Sequence, residues 1–270
     1  MGNLSSCPTS PSKPKTKNHP NRNQDWLGPT PIEIFEVRDI LMKCGKLPIE
    51  LSCEILDLAE YWTKDVIRSD HQVIVERGQE TIFDIDLLYD STYMSNVLAW
   101  HRNYLKSQTT ESPSEGAVIN DRLPNSSNAQ IYTAKVMKIE WTVVSHDQGW
   151  SSYPDDHGTD RNSWTWTEAS LYTRNRFNQS FESQLSSNSI PHRICTNIHA
   201  KRKSSLHKHI WNPNHPLLIE LNLRLRSLSN SFDFKEEQDS IGFCVNAVAQ
   251  YNGWVNTVEL VECKFFYSFT

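Results

Sequence analysis

Residues 140–150 read Glu-Trp-Thr-Val-Val-Ser-His-Asp-Gln-Gly-Trp, and residues 163–168 read Ser-Trp-Thr-Trp-Thr-Glu. In both, large apolar side chains alternate with short polar ones, the two-residue period of strands with one face in a core. Upstream the rhythm reaches Ile131, which predicts a strand over 131–144. Tyr132, Ala134 and Val136 share one face, yet the apolar set continues as Ile139, Trp141 and Val143. That change of parity calls for a bulge or register adjustment near Met137.

Working outward, further strands are predicted over 72–76, 81–88, 163–172, 192–198, 206–211, 217–225, 240–250 and 255–269. Residues 107–130, rich in Ser, Thr, Asn and Pro, read as a long loop. Nearly nine short strands with almost no helical periodicity after residue 70 imply a mainly β, antiparallel sandwich of jelly-roll type.

Composition sets the outer bounds. The 270 residues are 37% hydrophobic with a mean hydropathy of −0.58, low enough to predict a disordered tail and long polar loops around a modest core. A net charge of −5 supplies no global basic field, so nucleic acid is not an expected partner. The six cysteines, Cys7, Cys44, Cys53, Cys195, Cys244 and Cys263, lack the short paired spacings of a zinc site. No apolar run reaches the roughly 18 residues of a membrane span. The expected compartment is reducing and cytoplasmic, which leaves Asn125-Ser-Ser and Asn178-Gln-Ser as unused glycosylation matches.

The first residues, Met-Gly-Asn-Leu-Ser-Ser-Cys, fit the pattern for N-myristoylation of Gly2, and Cys7 offers a position for a palmitoyl chain. Lys13, Lys15, Lys17 and Arg22 follow, with no acid before Asp25. One acyl chain binds membranes marginally, whereas a second chain or a basic patch makes attachment stable. Residues 1–28 are therefore read as a disordered leader with a membrane-attachment signal. The plainer alternative is a solvated leader in which the glycine is accidental.

Residues 29–66 read as a helical hairpin. Thr30-Pro31-Ile32-Glu33 combines an N-cap, a first-position proline and a capping-box glutamate, predicting a helix from Pro31 to about Cys44 with Ile34, Val37, Ile40, Leu41 and Cys44 on its apolar face. Leu47-Pro48 opens a second helix, in which Leu51, Ile55, Leu58, Ala59 and Trp62 recur on one face.

The run Leu47-Pro48-Ile49-Glu50-Leu51-Ser52-Cys53-Glu54-Ile55-Leu56 resembles the opening of an F-box. The resemblance implies docking on the adaptor subunit of a ubiquitin ligase through Leu47, Pro48, Leu51, Ile55 and Leu56. It covers about the first third of an F-box, and residues 64–90 read as strands instead. A hairpin that simply covers one end of the β-domain is the competing reading.

Residues 135–169 also resemble a family of uncharacterised fungal proteins, which share a strand ending in Ser-His-Asp-Gln-Gly-Trp and a Trp-Thr-Trp strand. Thr196-Asn197-Ile198-His199-Ala200, Tyr251-Asn252-Gly253-Trp254-Val255-Asn256 and Ala59-Glu60-Tyr61-Trp62 look like further elements of that family. The resemblance covers roughly residues 47–62 and 131–270 and implies a fold but no activity, while residues 70–270 as a whole read as the β-sandwich domain. A looser likeness is to sugar-recognising F-box proteins, which carry a galactose-binding-like sandwich.

Ser145-His146-Asp147 suggests a catalytic triad, yet three consecutive strand residues cannot converge, because alternate side chains point to opposite faces. No nucleophile elbow, zinc-protease helix or phosphate loop is present, so no enzyme activity is expected, and no cofactor or metal. Asp155, Asp156, His157 and His199, or His207 with His209, are the residues with metal-ligand chemistry, without paired cysteines to support them. Lys201-Arg202-Lys203 reads as a solvated turn.

Loops at one end of a sandwich carry recognition because the sheets fix them. The candidate ligand residues are Ser145, His146, Asp147, Gln148, Trp150, Asn252, Trp254 and Asn256, since amides and carboxylates bind hydroxyl groups while tryptophan stacks on an apolar ring face. Alternatively these residues lock the loops to each other. The whole reads as a non-enzymatic adaptor recognising a protein or glycan, or as a membrane-tethered scaffold whose helices are purely structural.

Overall fold

The computed structural model describes residues 21–23, 28–86, 134–174, 189–230 and 240–269. Gly2, Cys7 and the loop at 107–130 lie outside the described residues.

Helix α1 (Pro31–Cys44) starts where its capping signals place it. The Thr30 amide donates to the Glu33 carboxylate at 2.7 Å and the Glu33 amide donates to Thr30 Oγ1 at 3.3 Å. The bonds from Thr30 hold the Glu33 carboxyl below its ordinary value. Helix α2 (Ile49–Leu58) follows, and Glu60, with φ +50°, turns the chain into the first long strand.

Both helices lean on one end of a strand rather than on a broad surface, and this changes which side chains they bury. Ile34 and Phe35 of α1 and Leu56 of α2 pack with Phe269, the Phe35 and Phe269 rings 5.9 Å apart. Asp57 receives hydrogen bonds from Trp62 Nε1 and Ser268 Oγ. The predicted apolar face of α2 is corrected accordingly: Ser52 and Leu56 point inward, whereas Leu51, Ile55 and Leu58 are exposed. On α1, likewise, Phe35 and Arg38 are buried and Ile40 faces out.

The strands are β1 (Asn21–Asn23), β2 (Thr63–Ser69), β3 (Val73–Val75), β4 (Gly78–Asp86), β5 (Ala134–His146), β6 (Thr165–Arg174), β7 (His192–Thr196), β8 (Ser205–Trp211), β9 (Ser240–Ala249) and β10 (Asn256–Phe269). They form two antiparallel sheets. One runs β1-β2-β10-β5-β8 with β3 also paired to β10, and the other runs β4-β9-β6-β7. From β3 onward the chain crosses between the sheets at every step except β6 to β7, which pair as neighbours in one sheet. Trp141, Val143, Phe243, Val245, Val261 and Phe265 fill it, with the Phe243 and Phe265 rings 5.8 Å apart across the two sheets.

The predicted adjustment at Met137 is present. Tyr267 pairs with Val136 and Phe266 with Lys138, leaving Met137 as the extra residue, and the buried set shifts parity there to Ile139, Trp141, Val143 and Ser145. A second irregularity on β10 places Glu259 between the pairs Val258–Ser145 and Leu260–Val144.

The strand predicted at 217–225 is a helix, α3 (Pro216–Asn230). Leu217, Leu218, Leu221 and Leu225 meet the core at helical spacing, while Ile219 and Leu223 face outward. Leu-Ile-Glu-Leu-Asn-Leu-Arg-Leu alternates like a strand, but leucine, glutamate and arginine favour helix, and Pro216 suits a first helical turn. Asn222 fixes the choice by bonding both backbone groups of Val136, at 2.8 and 2.9 Å.

Candidate functional site

The segments 145–150 and 251–256 lie at the same end of the sandwich because β5 and β10 are neighbours, with Thr257 opposite His146. They are joined directly. Gln148 Oε1 accepts from the Val255 amide at 3.1 Å, and Gln148 Nε2 donates to the Trp150 carbonyl at 2.8 Å.

Below the loops sits a closed polar network. Asn197, which follows β7, is buried; its Oδ1 accepts from Ser145 Oγ at 2.5 Å, and its Nδ2 donates to Thr165 Oγ1 at 3.0 Å and to Asn256 Oδ1 at 2.8 Å. Asn256 Nδ2 in turn donates to the carbonyls of Trp166 and Val248. Both amide side chains thereby use their two donors and an acceptor, the condition under which a buried polar cluster stabilises rather than costs.

Asp147 is fully buried, and its carboxylate divides between two turns. Oδ1 accepts from the Gly149 amide at 2.8 Å and Oδ2 from the Ala200 amide at 2.6 Å. Gly149 has φ +85°, the left-handed region that glycine enters without strain. Its neighbour across the gap makes glycine necessary twice over, since a Cβ there would stand 2.5 Å from Arg202 Cβ.

The adjoining loop, residues 154–162, is zipped to the same centre. The His199 amide donates to Thr159 O, the Gly158 amide donates to His199 O, and His199 Nδ1 donates to Asn162 O at 2.9 Å. His199 is fully buried, with Trp254 edge-on to its ring at 5.3 Å and the His157 ring at 5.7 Å. Its Nε2 is buried without a hydrogen-bond partner. Among the described residues no group of three histidine, cysteine or acidic side chains converges to hold a metal ion.

The candidate ligand residues thus divide. Ser145, Asp147 and Asn256 are buried and spend their polar atoms inside the protein, where they position the loops. His146 and Gln148 are half-buried, with His146 Nδ1 donating to the Asp147 carbonyl at 2.7 Å. Trp150, 64% exposed, and Asn252 stand outward, and Trp254 is half-buried against His199. Tyr251, 48% exposed and edge-on to Trp164 at 4.9 Å, joins this rim although sequence reasoning passed over it. Its position next to Asn252 was the available signal.

His146 reaches only the backbone carbonyl of Asp147, and neither the Ser145 hydroxyl nor the Asp147 carboxylate bonds its ring, so no triad forms. The serine hydroxyl is donated to Asn197 and the carboxylate is occupied by two amides.

At the opposite end of β10, the α2 residues resembling an F-box also divide. Leu51 and Ile55 are exposed by 47% and 41%, Pro48 is exposed and Leu47 half-buried, while Leu56 is buried against α1 and Phe269. Beside them a groove of about 550 Å³ opens between Ile49, Cys53 and Leu58 of α2 and Met137 of β5, with Glu50, Glu54 and Asp57 also lining it.

Burial keeps the thiols of the buried cysteines protonated. Burial pushes the Cys195 and Cys244 thiols up to about 12, and Cys263 is raised too. No helix among the described residues is long and apolar enough to cross a membrane.

Comparison with protein-family models, with curated proteins and with solved structures finds no match for this chain.

Proposed function

We propose that the protein is a non-enzymatic adaptor, a galactose-binding-like jelly roll whose loop end recognises a glycan or protein ligand. The observation that carries this reading is the contrast between Asn197 and Trp150. A fully satisfied buried network anchors the loops, and the same loops hold Trp150 and Tyr251 out in solvent. Rigid loops with exposed aromatic side chains bind with little ordering cost, which is how a recognition surface differs from a covered core.

Wild-type protein and the Trp150→Ala/Tyr251→Ala variant, applied to glycan and peptide arrays, test it. Ligands retained by wild type and lost by the variant, at unchanged melting temperature, support the reading. An identical set of ligands for both proteins removes it.

The exposure of Leu51 and Ile55 favours a second role for α2, docking on the adaptor subunit of a ubiquitin ligase. Leu51→Glu places a charge on that face and should abolish co-elution with the purified adaptor subunit. Unchanged co-elution would rule the docking out.

A further inference from the structure

The turn after Ala200 carries Lys201, Arg202 and Lys203, and the fold brings it against the loop that carries Trp150. Two independent features make that juncture. Asp147 clamps the Gly149 and Ala200 amides on one carboxylate, and the Gly149 backbone touches Arg202 so closely that no side chain fits between them. Ala200 itself takes φ +55°, a left-handed conformation that is strained for a non-glycine residue and persists where surroundings enforce it.

Among the described residues Lys201, Arg202 and Lys203 form no ion pair. The nearest carboxylates bond to other groups: Asp147 to its two amides, Glu259 Oε1 to Ser204 Oγ at 2.8 Å, and Asp156 on the neighbouring loop to Arg161 at 3.4 Å, while Asp155 and Asp160 of that loop are exposed. Arg202 and Lys203 are exposed. Three unpaired cations thus stand together in one turn that abuts an exposed indole, on a protein of net charge −5.

Resting on the recognition reading above, we propose that the ligand of this end is an acidic saccharide. The apolar face of a sugar ring stacks on Trp150, and its carboxylate or sulfate is held by Arg202 and Lys203. A flat, open indole suits a ring better than a peptide side chain, which wants a pocket, and the guanidinium of Arg202 matches a planar or tripodal oxyanion through paired hydrogen bonds. The exposed Asn252 amide beside Gly253 is available for ring hydroxyls, and Gly253 lies within 3.9 Å of the Trp150 ring edge, measured from where a Cβ would be.

The test is calorimetric titration of the full chain with four probes: a heparin-type sulfated hexasaccharide, a hyaluronan hexasaccharide bearing carboxylates alone, neutral cellohexaose and a glutamate decapeptide. At least one acidic saccharide should bind roughly tenfold tighter than cellohexaose, the scale of one charge-assisted hydrogen bond. Arg202→Gln/Lys203→Gln should remove that preference without altering cellohexaose binding, and Trp150→Ala should weaken every saccharide roughly fivefold, the scale of an aromatic contact. The relative strength of the sulfated and carboxylated arms identifies the anion.

Equal binding of cellohexaose, still dependent on Trp150, overturns the acidic preference and leaves the recognition reading intact. A glutamate peptide binding as tightly as the best saccharide overturns the ligand class. No saccharide binding, or binding indifferent to Trp150→Ala, overturns the proposal; if the arrays also lose nothing in the Trp150→Ala/Tyr251→Ala variant, the recognition reading falls with it.

Discussion

Asn197 donates a hydrogen bond to Asn256 across 2.8 Å, joining the end of β7 in one sheet to the start of β10 in the other. Because Asn197 also receives Ser145 Oγ and Asn256 also reaches Trp166 and Val248, this single contact closes a network that spans both sheets beneath the loops.

Replacing Asn197 with leucine leaves Ser145 Oγ, Thr165 Oγ1 and Asn256 Oδ1 without this partner. Each buried polar group left unsatisfied costs about 1–3 kcal/mol, so Asn197→Leu should lose about 3 kcal/mol or more in urea denaturation. A loss under half a kilocalorie would show that water fills the gap and that the network is not the anchor.

Gly149→Ala imposes a left-handed φ and a Cβ clash with Arg202 together. Its cost should be about 1–3 kcal/mol by the same denaturation measurement, with faster amide exchange at Gly149 and Ala200. Gly158→Ala is the control, since a Cβ there meets open space and only the φ of +78° remains as strain.

Acid should destabilise the fold through His215, whose ring stacks on Trp211 at 4.2 Å with Nδ1 buried and unpartnered. Burial first, and then the charge of His192 at 5.1 Å, lower its value to about 4. A depressed histidine is neutral when folded, so its contribution is complete above its unfolded value near 6.5 and fades as pH falls towards 4. The melting temperature of His215→Phe should therefore decline less than that of wild type between those limits. Parallel declines would show that other groups dominate acid unfolding.

Two leucines five residues apart on α2, on different faces of the helix, separate docking from folding. Leu56→Ala removes a buried contact with Phe269 and should cost about 2–4 kcal/mol. Leu51→Glu, on the exposed face, should change stability by less than about 0.5 kcal/mol. Thermal melts of both read the difference directly, and a large loss for Leu51→Glu would mean that its face is structural.

Local rules made much of the architecture readable. Thr30, Pro31 and Glu33 specify a helix start through their own backbone bonds, and the parity change between Val136 and Ile139 specifies a bulge, because in each case the deciding atoms lie within a few residues of one another. Leu217–Leu225 failed that test. Its apolar residues fit two periods, and Asn222 chose between them by reaching Val136, 86 residues away.

The candidate site was legible as two tryptophan-bearing segments, but not as a division of labour. Nothing local tells Asp147, fully buried, from Asn252, which is exposed, since both are short polar residues in a turn. Nor does any spacing tie Lys201–Lys203 to Trp150.

By itself, then, the sequence determined much of the strand rhythm, the cap of α1 and the bulge at Met137, because these depend on steric and hydrogen-bonding preferences that act within one stretch of chain. Tertiary structure alone decided which polar side chains face inward, which face of α2 stays in water and which loops share an end. Those outcomes depend on what lies opposite each residue, and the partners are set by the pairing of β5 with β10 and by the packing of two sheets drawn from distant parts of the chain.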